Sequence, residues 1–222
     1  MNAKKAAADK AVSYLSNGMV VGLGTGSTAY WAIEKIGERI NQEGLQIKAI
    51  ASSMQSEYQA KALGIPMVSF ADINQIDITI DGADEVDPAA NLIKGGGGAL
   101  LREKIVAANS TQFFIIVDES KLVSQLGKFP LPVEIAVFGW EKTMNRLSGL
   151  GCLPARRIKE GKPFLTDNGN YIIDCEFGKI VDSAAIHEKV NAITGVVDNG
   201  LFIAMASKII VGAADGQVKV LE

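Results

Sequence analysis

Short apolar runs rich in β-branched residues alternate with amphipathic helical patterns through the first part of the chain. Strands are predicted for GMVVGLG, QIKAIA, IPMVSF, QIDITI and QFFIIV, and helices for AYWAIEKIGERI and MQSEYQAKAL. Such an alternation is typical of parallel βαβ units, in which helices cover both faces of the sheet. Ligands bind these sheets at the carboxyl ends of the strands, and the polar clusters TGST, SS, DGADE and DESK all follow strands.

The pattern changes near Pro130 and Pro132, where the predicted order becomes β-α-β-β-α-β. The strands are VEIAVF, PARRIK, FLTDNGNYIIDCEF (folded around its DNGN turn) and GVVDNGLFI; the helices are WEKTMNRLSGLG and DSAAIHEKVNAIT, the latter with Asp182 or Ser183 as its cap. This order matches a ferredoxin-like unit, whose ends lie close together. We therefore predict an α/β protein in which residues 128–203 form a small α+β domain inserted into a larger domain of residues 1–127 and 204–222.

Composition excludes several classes of partner. The net charge is −3 and no segment clusters lysine and arginine, so we expect no nucleic-acid partner. No stretch approaches the roughly 18 apolar residues of a membrane span, and charges occupy the N-terminus where a signal peptide needs an apolar core. Cys152 and Cys175 are expected to be buried thiols rather than a disulfide, which fits a cytoplasmic protein.

The chain contains one histidine, His187, in a predicted helix. A zinc site of the usual Cys/His type therefore lacks ligands, and no nucleophile-elbow motif supports a serine or cysteine nucleophile. We expect His187 to be an ordinary helix-surface residue. Acid–base chemistry must then use carboxylates and lysines.

The segment GLGTGST, residues 22–28, is a candidate anion-binding turn. A glycine-rich turn between a strand and a helix presents backbone N–H groups to an anion, and Ser27 and Thr28 add hydroxyl groups. The dinucleotide fingerprint fails at Ser27, and no nucleotide-binding G-K-[ST] occurs. The structural alternative is a tight turn with a Ser/Thr helix cap.

The segment IDITIDGADEVD places Asp81 at the carboxyl end of a strand and Asp84 three residues later. Both carboxylates are expected to face one pocket. The alternatives are a hydrated acidic loop or a magnesium or manganese site, whereas the spacing does not fit a calcium-binding hand.

The segment LIKGGGGALLREKIVAAN combines Lys94, four glycines and a charged triplet. Glycines bring backbone N–H groups close to an oxyanion, and Lys94 adds a positive charge. In a helix that starts near Gly98, the i±3 and i±4 neighbours of Glu103 are all apolar, so its carboxylate is either forced to a rim or partly desolvated. Partial desolvation would raise its pKa and make it a better base near neutral pH. The alternative is a surface helix whose Arg-Glu-Lys triplet is simply solvated. We expect alanine to be tolerated at Gly98. Together these motifs suit proton transfer beside a carbonyl of a phosphorylated small molecule.

The chain resembles type A ribose-5-phosphate isomerase over nearly its whole length. The matching motifs are VGLGTGSTAYWAI, IDGADEVD, LIKGGGGALLREKI, DESKLV, GKFPLPVEI and DNGN. The resemblance implies a Rossmann-like domain with a ferredoxin-like small domain, a homodimer or homotetramer, and no metal or other cofactor. It also implies interconversion of D-ribose 5-phosphate and D-ribulose 5-phosphate in the non-oxidative branch of the pentose phosphate pathway.

The resemblance also implies a set of site residues. Glu103 would be the proton acceptor, Asp81 or Asp84 would relay the proton of ring opening, and Lys94 would stabilise an enediolate. The substrate-binding residues would be Thr25, Gly26, Ser27, Thr28, Asp81, Gly82, Ala83, Asp84, Lys94, Gly95, Gly96, Gly97 and Lys121, with Lys4 as a further candidate at the phosphate. A related sugar-phosphate isomerase or deaminase, a coenzyme A transferase and a non-enzymatic sugar-phosphate sensor remain as alternatives.

Overall fold

The computed structural model describes residues 2–221. Its helices are α1 Ala3–Val12, α2 Ala29–Glu43, α3 Met54–Ala62, α4 Leu100–Ala108, α5 Trp140–Ser148 and α6 Ser183–Asn191, with short 3-10 helices at Phe70–Asp72 and Glu119–Lys121. Its strands are β1 Val20–Leu23, β2 Lys48–Ala51, β3 Ile76–Asp81, β4 Glu85–Val86, β5 Leu92–Ile93, β6 Ser110–Asp118, β7 Leu131–Ile135, β8 Leu153–Arg156, β9 Ile158–Lys159, β10 Lys162–Pro163, β11 Tyr171–Glu176, β12 Val196–Asn199, β13 Leu201–Phe202, β14 Lys208–Gly212 and β15 Val218–Leu221. Within residues 2–221, no helix has both the length and the apolar character needed to cross a membrane.

The chain folds into two compact units. The first contains the residues up to Ala83, Arg102–Lys121 and those from Met205 onward; the second contains Asp84–Leu101 and Leu122–Ala204. The second unit thus includes residues 84–101, which the sequence-based division at residue 127 placed in the larger domain. The predicted division is into separate domains, which the two compact units do not test, so it stays a prediction.

The first unit is built on a six-stranded sheet in the order β15-β14-β6-β3-β1-β2. All neighbouring strands run parallel except β15, which lies antiparallel at one edge. Its core joins the alanine-rich face of α1 and the apolar face of α2 to the sheet, with residues such as Ala7, Ile33 and Phe114 fully or almost fully buried. The predicted parallel α/β architecture is confirmed.

The second unit contains a four-stranded antiparallel sheet in the order β12-β7-β11-β8. With α5 and α6 this is the βαββαβ arrangement that the sequence predicts. Asp182 caps α6, since its carboxylate accepts the N–H of Ala185. The unit also contains the three-stranded sheet β13-β5-β4 and the two-stranded sheet β10-β9.

Two predicted strands are wrong in part. In IPMVSF only Met67 forms a β-bridge, with Ala49, and Ser69 and Asp72 then form a capping box on a 3-10 turn. In FLTDNGN only Leu165 forms a bridge, with Tyr171, because the polar side chains that follow bind a buried glutamate. In both cases local side-chain hydrogen bonds compete with strand pairing.

Candidate active site

The first unit collects several predicted site residues at one edge of its sheet. Strands β1, β3 and β6 are parallel, so their carboxyl ends point to the same edge. Thr25–Thr28 follow β1, Gly82 and Ala83 follow β3, and Lys121 ends the 3-10 turn after β6. The expectation that these clusters meet at a sheet edge is confirmed for this unit.

Asp81 is the last residue of β3 and is fully buried. Its Oδ1 accepts hydrogen bonds from the backbone N–H of Thr25 at 3.0 Å and of Gly82 at 2.7 Å. A Cβ on Gly24 would collide with this carboxylate. Gly24 therefore allows Asp81 to approach the turn closely. The sequence analysis gave Gly24 no such packing role.

The TGST turn leads into α2, whose N-cap residue is Thr28. The Thr28 side chain makes no capping hydrogen bond, so the Ser/Thr-cap alternative is wrong for this residue. Ser27 Oγ accepts a hydrogen bond from Lys4 Nζ at 2.8 Å, and Gly26 has φ +102°. The turn thus combines a helix N-terminus, a lysine ammonium and hydroxyl groups, which together favour an anion.

Thr25 has a different environment from the rest of the turn. Its hydroxyl lies 2.8 Å from Ser52 Oγ and 2.9 Å from Ser53 Oγ, within a serine cluster that includes Ser56. Ser56 Oγ donates to the carbonyl of Gly24 at 2.6 Å. The Thr25 side chain therefore fastens the turn to the residues after β2, and the SS motif joins the same sheet edge as a support.

Glu103 lies in the first turn of α4, which begins at Leu100 rather than near Gly98. Its side chain is buried, with the residue 4% exposed, whereas Arg102 and Lys104 beside it are partly exposed. The alternative of a solvated Arg-Glu-Lys triplet fits Arg102 and Lys104, but it is wrong for Glu103. Burial in an apolar helix is the environment in which a carboxylate becomes an effective base.

The second unit holds Asp84 and the glycine run in one hydrogen-bonded arrangement. Asp84 Oδ2 accepts the N–H of Gly96 at 2.8 Å, and the Asp84 N–H donates to the carbonyl of Ile93 at 2.8 Å. A Cβ on Gly96 would lie 2.7 Å from the Asp84 carboxylate. Asp84 therefore orients the glycine run, a role that spacing alone did not reveal.

Lys94 is a buried cation, with the residue 2% exposed. Its backbone N–H donates to the carbonyl of Gly200 at 2.9 Å, and its Nζ lies 5.4 Å from the centroid of the Phe202 ring. Such a desolvated ammonium interacts strongly with nearby negative charge.

Residues Gly95–Gly98 form a tight turn in which the N–H of Gly98 donates to the carbonyl of Gly95 at 2.9 Å. Gly95 and Gly98 have φ +98° and +81°, and a Cβ on Gly98 would collide with the Phe164 ring. The expected tolerance of alanine at Gly98 is therefore wrong, because Gly98 precedes the helix in a left-handed conformation. Gly96 and Gly97 remain exposed to solvent.

Two buried glutamates hold the GKFPLPVEI motif in place. Glu134, within this motif, binds the DNGN segment, and Glu85 binds the start of the motif. Glu134 is fully buried, and its Oε1 accepts from Thr166 Oγ1 at 3.0 Å and from Asn170 Nδ2 at 2.8 Å. Glu85 accepts the backbone N–H groups of Gly127 at 2.7 Å and Phe129 at 2.6 Å. Sequence reasoning gave these residues no role, although a glutamate within an apolar strand is itself a signal of a buried partner.

His187 and the cysteines behave as structural residues. The His187 ring is half-buried, with Nδ1 3.2 Å from Asn199 Oδ1 and Nε2 3.3 Å from Asn191 Nδ2. Cys152 and Cys175 are buried free thiols, as expected. No group of three or more His, Cys, Asp or Glu side chains in the described range 2–221 is arranged to hold a metal ion.

Known proteins match this chain closely. Residues 48–216 match the family described as ribose 5-phosphate isomerase A, phosphoriboisomerase A. Ribose-5-phosphate isomerase A of Bacillus mycoides is 54% identical over 97% of this chain and 98% of its own length, and that of Streptococcus sanguinis is 49% identical over 100% and 98%.

Solved structures agree with the sequences. Ribose 5-phosphate isomerase A of Methanocaldococcus jannaschii covers 99% of this chain with 97% of its own, at 42% identity and a TM-score of 0.93. A D-ribose-5-phosphate isomerase in complex with phospho-erythronic acid aligns over 100% of this chain and 100% of its own, at 39% identity and a TM-score of 0.95. The family match and the identity over nearly the whole chain show that the chain belongs to the ribose 5-phosphate isomerase A family and is an aldose–ketose isomerase.

Proposed function

We propose that this chain interconverts D-ribose 5-phosphate and D-ribulose 5-phosphate through an enediolate, with Glu103 as the base. The observation that carries the proposal is the burial of Glu103 between two partly exposed cations in a helix of apolar neighbours. A sugar-phosphate sensor has no need of a buried carboxylate, whereas abstraction of a proton beside a carbonyl does. Membership of the isomerase family supports the same reaction.

The phosphate group is assigned to the anion-binding turn. The N-terminus of α2, the hydroxyl groups of Ser27 and Thr28, and the ammonium of Lys4 provide donors and positive potential at one place. Lys121 follows a neighbouring parallel strand and is proposed as a second cation for the substrate. Gly26 supplies the positive φ that the turn needs.

Asp81 and Asp84 are proposed to handle the proton of ring opening, and either one can be the relay. Each uses a carboxylate oxygen to accept backbone N–H groups: Asp81 from Thr25 and Gly82, and Asp84 from Gly96. Such bonds fix the carboxyl group in one orientation. Gly82 and Ala83 connect the two residues along the chain and complete the proposed binding set.

The isomerisation then transfers one proton between adjacent carbons. Glu103 takes the C2 proton of the open-chain aldose, and the C1 carbonyl oxygen becomes an enediolate oxygen. Glu103 returns the proton to C1, while the O2 hydroxyl loses its proton to form the C2 carbonyl and O1 regains one. A single base can serve both carbons because they are bonded to each other.

The developing negative charge is assigned to Lys94 and to the N–H groups of Gly95 and Gly97, because the Gly96 N–H is already donated to Asp84. Preorganised donors stabilise a transition-state oxyanion without reorganisation at the moment of reaction. The phospho-erythronic acid bound by the related isomerase carries a phosphate and a carboxylate. A carboxylate is planar and anionic, as an enediolate is, so that ligand supports an anion site of this kind here.

We also propose that the protein is a cytoplasmic homodimer or homotetramer. Several large apolar side chains of the second unit are exposed, including Phe138 at 97% and Val181 at 88%. A contiguous apolar patch formed by such residues would be a surface for another subunit to cover. Sedimentation analysis of the purified protein would test the oligomeric state.

The direct test of the proposed function is incubation of the purified protein with ribose 5-phosphate. Ribulose 5-phosphate should form without added metal or cofactor, and ribose 5-phosphate should form in the reverse direction. Binding of the sugar phosphate without turnover would leave a sensor as the better description.

A further inference from the structure

Arg157 belongs to none of the motifs assigned so far, yet its side chain contacts the glycine run. It lies in the break between β8 and β9, where its backbone N–H donates to the carbonyl of Ile172 at 2.9 Å. Its guanidinium Nη1 donates to the carbonyl of Gly95 at 2.9 Å and to that of Gly96 at 3.1 Å. Only 15% of the side chain is exposed.

A carboxylate holds the guanidinium in place from its other side. Arg157 Nε donates to Asp174 Oδ2 at 2.9 Å, and Nη2 donates to Asp174 Oδ1. This two-point pairing fixes the plane of the guanidinium group as well as its position. The Phe164 ring, which limits the space at Gly98, has its centroid 5.9 Å from the Arg157 Cζ.

The direction of the Gly95 and Gly96 carbonyls determines the direction of the N–H groups that follow them. In a trans peptide the C=O of one residue and the N–H of the next point to opposite sides, and no cis peptide bond occurs in the described residues. The Gly96 N–H accordingly points away from Arg157 and donates to Asp84. The Gly97 N–H is turned away from Arg157 in the same manner, at an exposed residue.

Arg157 and Asp84 therefore hold the Gly95–Gly96 peptide from opposite ends. The cation contacts the carbonyl end of the peptide dipole, and the carboxylate contacts the N–H end. Glycine has the greatest backbone freedom of any residue, so a run of four needs such restraints to keep one conformation. Without Arg157 both carbonyls would lose a charged donor and the run could rotate.

We infer that Arg157 is a positioning residue for the isomerisation: it fixes the carbonyls of Gly95 and Gly96, and thereby aims the N–H of Gly97 at the enediolate oxygen. This inference rests on the proposed function, in which the glycine N–H groups stabilise that oxygen. Arg157 acts through the backbone and does not touch the substrate. Asp174 supports it by holding the guanidinium.

The test compares Arg157→Met and Arg157→Lys in steady-state isomerisation of ribose 5-phosphate. Small displacements of catalytic groups lower rates by up to about 100-fold, so we expect Arg157→Met to lose roughly 10–100-fold in kcat. KM should change by less than about threefold, because the phosphate is bound elsewhere in the proposed set. Arg157→Lys, which retains one cation but not the planar fork, should lie between Arg157→Met and the unmodified protein.

Arg156→Met is the matched control. The neighbouring Arg156 stacks over Trp140 and Tyr171, with its Cζ 4.1 Å and 5.2 Å from their centroids. Its loss should lower thermal stability with kcat kept within about twofold, since it has no contact with the glycine run among those described. An equal kcat loss in both methionine variants would show a general effect of destabilisation and would overturn the inference.

Amide NMR of Gly96 and Gly97 supplies a readout that does not depend on turnover. Arg157→Met should shift both resonances, and Asp174→Asn should shift them less while it lowers kcat by roughly 3–10-fold. A folded Arg157→Met with unchanged kcat and unchanged glycine resonances overturns the inference. If Arg157→Met does not fold, Arg157→Lys and Asp174→Asn decide it by the same two criteria. A wild-type protein that fails to isomerise ribose 5-phosphate would instead refute the proposed function, while the resonances would still test the positioning role.

Discussion

Replacement of Gly98 by alanine adds one methyl group at a backbone position that the structure makes doubly restrictive. Gly98 has φ +81°, where an L-residue is strained, and its new Cβ would collide with the Phe164 ring. The atoms that clash are Cε1 and Cζ at the outer edge of the ring, so the Phe164 side chain must rotate away from its present packing to make room. Both the backbone strain and the collision should destabilise the folded state.

The magnitude follows from the two contributions. A non-glycine residue in the left-handed region costs about 1–2 kcal/mol. Overpacking against a held side chain costs about 1–3 kcal/mol more. Gly98→Ala should therefore lower the free energy of unfolding by about 2–5 kcal/mol in sum.

Gly178→Ala separates these contributions. Gly178 has φ +70°, and nothing lies within 4 Å of the position that its Cβ would take. It should therefore show only the backbone part, about 1–2 kcal/mol. Urea unfolding followed by circular dichroism measures both variants, and Phe164→Ala in the Gly98→Ala background should recover the collision energy as a coupling. Equal destabilisation of the two alanine variants, with no coupling to Phe164, would refute the packing analysis.

Three further outcomes are expected. Turnover should survive EDTA, whereas a loss that magnesium or manganese restores would make Asp81 and Asp84 metal ligands. Unphosphorylated ribose should be turned over far more slowly than ribose 5-phosphate, because remote binding energy positions the reacting carbons; similar efficiency on both sugars would contradict the anion site. The hydrogen bond with Cys152, together with burial, raises the pKa of the Cys175 thiol. Iodoacetamide should therefore label Cys175 slowly in native protein and readily in urea, as mass spectrometry would measure. Fast labelling of the native protein would contradict the burial of this thiol.

The sequence predicted the features that depend on periodicity and strand ends. The alternation of apolar runs indicated the parallel sheet, and the polar residues after β1 and β3 indicated the edge where Asp81 and the TGST turn lie. Apolar neighbours at helical spacing limited Glu103 to a rim position or partial desolvation, and the structure shows the buried outcome. These features follow from local patterns, which a single sequence displays.

Contacts between distant segments could not be predicted in this way. The pairing of Arg157 with the Gly95 and Gly96 carbonyls spans more than 60 positions, at separations of 62 and 61. The collision at Gly98 depends on the Phe164 ring, which the paired strands β9 and β10 place beside that glycine. Each of these side chains has an unremarkable local context, so only the tertiary structure shows its role.

Glu103 is proposed to move the proton between C2 and C1 of the substrate. Glu103→Gln keeps the shape and hydrogen-bonding reach of the side chain but removes the base. The most direct measurement is NMR detection of exchange of the substrate C2 proton in deuterated water, alongside steady-state turnover. General-base contributions are typically about 10²–10⁴-fold, so both rates should fall by at least that order with substrate binding largely kept.

Arg102→Gln and Lys104→Gln are the matched controls, because they change the partly exposed charges on either side of Glu103. Both controls should isomerise and exchange at rates much closer to those of the unmodified protein. We expect exchange to be lost only in the Glu103 variant. Exchange in Glu103→Gln near the unmodified rate would contradict it and would place the base at Asp81 or Asp84.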